Sequence, residues 1–596
     1  MLTSPSIPLY GSGLLWIDAI CIDQEDDDDK SQQLPLMRRI YGDTLRVLIW
    51  IGEEPKNPGY VSRCIDLLAQ SAIDQKLDQK ERANSNIQVA ENHELADGTS
   101  IGQLLNNDAT PTVIDFLCSR SYFTRLWTVQ EVVLLNIKSA QVLWGRNMYP
   151  WTAYYNANLM IQTCQMFHNT IPSASLNSMN CVPDLRYMQF CLHQSMSLSL
   201  TSCYLWTARQ QSHVSVPHDQ VYALLGMVDD RTRKLLSPLS YERPLGELFQ
   251  TATIIMVLES QGVFHLRERD VAVDHPDAAT WTGFTSFHPQ NHHQYLKSDI
   301  EFNPMSPITF EIGDRVITAK DLLEDNPVPI SVYSGGVGFL NRIPILVTKG
   351  FMLDTITASL KNFTSGRIRK SLVSAYLAVR DYHTEEPLDI ERVIDTVWKP
   401  LPVFISDDVP KYQRVCEKQK LDFTASLSRW VLDGIENDRS KPKEIQNSEG
   451  QLKPPLSIAR NSHLHRPRFS QEELRFFTRH AELRKDNSSE EVIARHLYKE
   501  NGHIAKNYGR NIFFTSKGYV GIGPMGDNRE EAMPAVQSND KLVALDGFKE
   551  AIFLFILRPQ PDGLYTFIGP AKAPGAVDDP VFKAGSVPDF IDIRIR

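Results

Sequence analysis

Two short stretches concentrate the residue types that can do chemistry. In LLWIDAICIDQ, residues 14–24, an apolar run gives way to Asp18, Asp23 and Gln24. In RSYFTRLWTVQEVVLL, residues 120–135, Gln130 and Glu131 interrupt a segment that is apolar on nearly every side. Such a segment reads as a buried helix, and residues four apart, such as Trp127 and Glu131, share one of its faces. A carboxylate in those surroundings must be paired or must hold its proton more tightly than in water, and perturbed carboxylates cluster where proteins do chemistry. Structural roles stand beside these. Asp18 and Asp23 can cap a helix starting near Glu25, with Asp26 to Asp29 complementing its positive end. Glu131 can form an ion pair with Arg120 or Arg125, the same arginines can bind phosphate oxygens, and Trp127 can simply pack in the core.

These residues need elements to position them. Leu14 to Asp18 reads as a strand. Glu25 to Tyr41 reads as a helix, with Leu34, Met37, Ile40 and Tyr41 at helical spacing, and Arg46 to Ile51 as a strand closing at Gly52. Strand, helix and strand predict a βαβ unit in a parallel sheet. Ligands of such sheets sit outside the carboxyl ends of the strands, where Asp18, Asp23 and Gln24 would fall. A polar insertion follows at 75–107, then a helical segment from Pro111 and a mostly helical stretch over 150–265 that includes VYALLGMV and ELFQTATIIMVLES; 265–345 is mixed. Between Glu436 and Phe469 the composition is that of a linker. After a helical run over 471–499, the segments NIFFT, GYVGIG, DKLVALDG, AIFLFILRP and LYTFIG, punctuated by Gly, Pro and Asn, predict a small antiparallel module.

Composition narrows the class. The 596 residues are too many for one core, and a net charge of −10 with scattered Lys and Arg carries no footprint of a nucleic-acid binder. Eight thinly spread cysteines read as reduced thiols. The opening residues lack the pattern of a secretory signal, and no stretch of about 18 apolar residues predicts a membrane span, so the expected location is the cytoplasm. His288, His292, His293, His463 and His465 lack a paired Cys or carboxylate at ligand spacing, so no metal site is expected. The GSG at 11–13 and GYVGIG at 518–523 lack the strand and helix of a phosphate loop, and no Gly-x-Ser-x-Gly elbow or cysteine nucleophile signature occurs.

LLWIDAICIDQ, MRRIYGDTLRVLIWIG, RSYFTRLWTVQEVVLL and HDQVYALLG (218–226), in that order, resemble the fungal heterokaryon incompatibility (HET) domain and the region that follows it. GRNIFFTSKGYVGIGP, 509–524, resembles a segment common near the end of such chains. The resemblance implies a HET domain over 1–145, a mostly helical HET-associated region over 146–435, a linker over 436–470, and a helix with a β-rich C-terminal module over 471–596. HET domains are similar in outline to TIR domains, which implies a flavodoxin-like α/β parallel sheet for the first unit. The family's usual Ser-Tyr-x-Trp-Gly block is missing upstream of Leu14, so that sheet is expected to be incomplete. By this resemblance the protein acts in non-self recognition and vegetative incompatibility. It would be a programmed cell death effector assembling with other HET-domain or recognition proteins or with itself, binding no nucleic acid and needing no cofactor. TIR-like chemistry implies a second reading, an NAD glycohydrolase with NAD as substrate and Glu131 as catalytic carboxylate, and with Trp127, Asp18, Asp23 and Arg125 at the substrate. A third is an inactive, truncated relic.

Overall fold

The computed structural model describes residues 15–53, 57–77, 93–105, 113, 117, 120–135, 140–163, 181–193, 198–209, 214–260, 262–263, 266, 278–282, 296–297, 308–324, 327, 330, 343–360, 368–382, 388–398, 420–421, 423–432, 469–481, 510–525, 535–548, 551–577 and 590–596. The linker expected at 436–470 and the central part of the polar insertion fall almost wholly outside them. The chain forms two compact units, one from 1–265, 273–289 and 307–345, the other from 266–272, 290–306 and 346–596. Elements of the 146–435 region contribute to both, and strands at Thr309–Ile312, Arg315–Ile317 and Ile345–Leu360 interrupt its helices.

The first unit begins with a correction. Leu15 to Ile17 form no strand, and Asp18–Cys21 is one helical turn, with the Ile20 and Cys21 amides donating to the Ile17 carbonyl at 3.0 and 2.8 Å. Leu15 and Ile20 are exposed, so the run is not a buried strand, and Trp16 instead meets the edge of Tyr41 with ring centres 5.8 Å apart. Asp18 therefore sits on a helical turn and not at a strand end. The expected long helix is broken in two. Asp26 caps Asp27–Gln33 by accepting from the Asp28 and Asp29 amides, and Asp27 to Asp29 lie at the positive end of the helix dipole. Pro35, which has no amide hydrogen to donate, falls in a 3-10 turn at Leu34–Leu36 before Met37–Asp43 resumes.

Val47–Trp50 is the strand expected near Arg46. It runs parallel to Ala140–Trp144, with Val47 opposite Ala140 and Trp50 opposite Leu143, and Asn147–Pro150 adds an antiparallel neighbour. Among the described residues this sheet has three strands. Helix Pro58–Asp74 buries Val61, Cys64, Ile65, Leu68, Ala69 and Ala72, the spacing of one apolar face, and packs on Trp151–Thr163.

Helix Trp127–Val133 carries the second chemical stretch. Thr128 Oγ lies 2.7 and 2.9 Å from the Arg125 and Tyr122 carbonyls, closing the turn before it. Val129, Gln130, Val132 and Val133 are buried. Behind the helix, Gln189 donates to the Val132 and Leu135 carbonyls at 3.1 and 3.2 Å. The block HDQVYALLG docks on the same helix: a Cβ at Gly226 would lie 1.8 Å from Gln130 Oε1, so any larger residue there must displace the Gln130 side chain. Further ties join 27–43 to this downstream region, from Arg38 Nη1 to the Val228 carbonyl at 3.0 Å and from the Tyr241 amide to Ser31 Oγ at 3.1 Å.

In the second unit the apolar segments named above lie in strands Arg510–Thr515, Val520–Met525, Lys541–Phe548, Ala551–Pro559 and Tyr565–Pro570, paired antiparallel as hairpin neighbours or against Ile345–Leu360. Helices Ile368–Tyr382, Ile390–Trp398 and Gln471–Ala481 share a core with this sheet, where the Tyr376 hydroxyl donates to buried Glu473 at 2.9 Å. Among the described residues no helix is long and apolar enough to cross a membrane.

Gly226→Ala forces Gln130 out of its place or separates two buried elements. Overpacking of that kind costs about 1–3 kcal/mol, so the variant is expected to show a lower denaturation midpoint for the first unit in urea titrations of the full chain.

Candidate functional site

Four of the five residues singled out at the sequence level line one cavity of about 190 Å³: Asp18, Arg125, Trp127 and Glu131. Asp23 does not line it. That side chain is exposed, accepts from the Glu25 amide at 3.0 Å, and its own amide donates to Asp29 Oδ2 at 2.8 Å, so Asp23 shapes the turn leading to the Asp26 cap. Asp18 accepts from the Ala19 amide at 2.8 Å and faces Arg125 Nη2 at 4.0 Å, both groups being largely exposed to solvent, where such a pair contributes little stability.

Glu131 has a different partner from those expected. Its Oε2 accepts from the Tyr122 hydroxyl at 2.8 Å, while Arg120 places its guanidinium 5.6 Å over the Trp144 ring. Burial pushes the Glu131 carboxyl above its ordinary range, and the field of Asp18 adds to this. The Tyr122 hydrogen bond and Arg125 act in the opposite direction without cancelling it. Burial and then the charge of Glu131 likewise raise the hydroxyls of Tyr41 and Tyr122, so both phenols stay protonated as donors.

Of the rest of the lining, Gln24 was singled out in the sequence beside Asp18, and the other residues were not assigned to a site. Ile22, Gln24, Lys30, Leu34, Met37 and Tyr41 come from the first helices, and Ser215, Val216, Asp219 and Tyr241 from a segment more than eighty residues after Glu131. Asp219 is 7% exposed, and its carboxylate accepts from the Tyr241 hydroxyl at 2.7 Å and from the Trp127 indole. Its carboxyl is raised by burial, against the pull of those hydrogen bonds, His218 and Lys30. Lys30 Nζ stands 5.1 Å over the Tyr241 ring and 2.5 Å from Asp27. The signal available in the sequence was a lone acid, Asp219, beside the apolar run VYALLGMV.

The site thus combines three acids, two of them raised by burial, with two cations and aromatic walls. It can hold a small ring-bearing ligand with positive charge and hydroxyls. Among the described residues no group of three or more His, Cys, Asp or Glu side chains is placed to hold a metal ion.

Comparison with known proteins follows the same geography. Residues 8–131 match the family model described as Heterokaryon incompatibility protein (HET). That span holds the cavity wall from Asp18 to Glu131 and omits Ser215 to Tyr241. The chain is also similar to Heterokaryon incompatibility protein 6, OR allele, of Neurospora crassa, being 31% identical over 130 residues, 20% of this chain and 19% of that relative. The chain therefore spans about a fifth of the curated relative it matches. No solved structure matches it.

The raised Glu131 carboxyl fixes the sign of a stability effect. A carboxyl held above its ordinary value of 4.5 contributes stability that is fully present below that value and is lost as the pH rises through the folded-state value. Glu131→Gln cannot ionise, so it is expected to be more stable than the parent at pH 7, with the difference closing as the pH falls below 4.5 in denaturant titrations across that range.

Proposed function

We propose that this protein is a fungal heterokaryon incompatibility protein of the non-self recognition type, a programmed cell death effector acting through assembly of its HET segment with like domains. The match over residues 8–131 carries this reading. The fold adds support, since that segment is tied through Ser31, Arg38 and Gln130 to the block that follows it. Expression of the full chain fused to an inducible dimerisation module in a filamentous fungus tests it. Inducer-dependent arrest of growth is expected, and normal growth under forced assembly contradicts it.

A second reading has its own observation, the placement of Glu131, Trp127, Asp18 and Arg125 around one cavity. We infer that the HET segment is TIR-like and hydrolyses NAD at its nicotinamide–ribose bond. As that bond breaks, its electron pair goes to the pyridinium nitrogen and neutralises the leaving group, so no acid is required. Positive charge develops on the ribose, which a nearby carboxylate stabilises. Water then adds to the anomeric carbon and releases one proton to the solvent. Glu131 is the group that faces this charge, held in place by Tyr122, with Asp18 at the ribose hydroxyls and Arg125 toward phosphate. At about 190 Å³ the cavity is below the roughly 300–1,000 Å³ of whole-ligand pockets, a size for the ring-and-ribose end of a dinucleotide.

Nicotinamide release from NAD by the purified full chain is the test. Glu131→Gln is expected to lower it by about 100-fold or more, the scale of losing one charge-stabilising group. Because the group acts as a carboxylate, the acid limb of the rate profile is expected above the ordinary glutamate range. Equal release by parent and variant contradicts the assignment.

A further inference from the structure

Asp219 lies outside the family match and outside the mechanism above, yet it lines the cavity. It opens the short helix Asp219–Tyr222 and its amide donates to the Val216 carbonyl at 3.0 Å, so its backbone is fixed. A buried carboxylate is costly unless hydrogen-bonded. The two side-chain donors that satisfy this one, the Trp127 indole and the Tyr241 hydroxyl, both belong to rings lining the cavity. Tyr241 is held from three further sides, by Ser31 Oγ on its amide, by Lys30 over its ring, and by the Tyr222 ring edge-on at 5.4 Å. Its neighbour His218 is anchored on the Arg243 carbonyl at 2.7 Å.

We propose that Asp219 is a positioning residue that fixes two aromatic walls, Trp127 and Tyr241, so that the cavity receives a flat heteroaromatic cation. In chemical terms this is the oxidised, pyridinium form of a nicotinamide nucleotide in preference to the neutral, reduced form. The choice of nicotinamide rests on the hydrolase reading; the aromatic walls and their common anchor do not. The electron-rich faces of tryptophan and tyrosine attract a cation and not a neutral ring, as Lys30 Nζ over the Tyr241 ring shows, and the three carboxyls in the lining, Asp18, Glu131 and Asp219, outnumber its two cations, Lys30 and Arg125. Asp219 touches neither ring nor ribose and acts through Trp127 and Tyr241.

Fluorine NMR of the full chain labelled with 5-fluorotryptophan tests this without relying on turnover. The Trp127 signal is identified by its loss in Trp127→Phe, and the probes are oxidised and reduced nicotinamide mononucleotide. The oxidised probe is expected to move the Trp127 signal and the reduced probe to leave it in place. Asp219→Ala is expected to shift that signal in the free chain and to weaken binding of the oxidised probe by about tenfold, the scale of a desolvated cation–π contact. Tyr241→Phe, which keeps the ring and removes the hydroxyl, is expected to weaken binding in the same direction, and it serves if Asp219→Ala does not fold. In a Trp127→Phe background, read by calorimetry, Asp219→Ala is expected to cost less than it does alone, because its effect passes partly through that ring. An unmoved Trp127 signal together with unchanged binding in Asp219→Ala and Tyr241→Phe overturns the assignment of Asp219. Equal response to both probes, or to neither, overturns the selection of a cation. Binding of the oxidised probe by a chain that releases no nicotinamide from NAD overturns the hydrolase reading and supports the aromatic receptor.

Discussion

The close approach of the backbone at Gly226 to Gln130 is the contact that seats helix Trp127–Val133 against the region after it. No side chain fits between them, and Gln130 also reaches toward the Ala223 carbonyl. That close approach brings HDQVYALLG against the helix and so delivers Asp219 to Trp127. Ser31 and Arg38 make the corresponding ties from the first helices to Tyr241 and Val228. Three separate stretches of chain, roughly 18–41, 122–131 and 215–241, thereby share a single cavity.

The electrostatics of the cavity follow from its enclosure. Glu131 and Asp219 are both held above the usual carboxylate range, and in both cases burial is the largest cause. In each, hydroxyl or indole donors act in the opposite direction. A carboxyl arranged in this way carries its charge at a cost, and a cation placed beside it relieves that cost. The same enclosure that destabilises the free protein at neutral pH therefore favours a positively charged ligand. Asp18 and Arg125, being exposed, contribute direction more than energy.

How much of this was readable beforehand depended on distance along the chain. Trp127, Glu131 and Arg125 were legible because an acid inside an apolar helical run is anomalous whatever the fold, and the helix itself sets their spacing. Asp18 was found for a partly mistaken reason. A short apolar run does not by itself distinguish a strand from other structure, and Leu15 and Ile17 are exposed and followed by a helical turn. Asp23 was drawn in by the same reading and belongs to the turn before the Asp26 cap. Tyr122 was hidden as the partner of Glu131 because arginines flank it on both sides and charge complementarity points to them first. Asp219, Tyr241 and Lys30 carry no local signal of convergence, since long-range packing, of Gly226 on Gln130 and of Ser31 and Arg38 on the downstream region, brings them to the site. The β segments of the second unit were plain because alternating apolar residues between Gly, Pro and Asn mark strands locally, without reference to partners.

The most direct measurement is the titration of Glu131 itself, followed by carbon NMR of the full chain with carboxyl-labelled glutamate, the signal identified by its absence in Glu131→Gln. The account requires the free chain to titrate this group above 4.5, and requires the value to fall when oxidised nicotinamide mononucleotide is added, because a bound cation favours the charged carboxylate. A Glu131 that titrates in the ordinary range and ignores the nucleotide would contradict it.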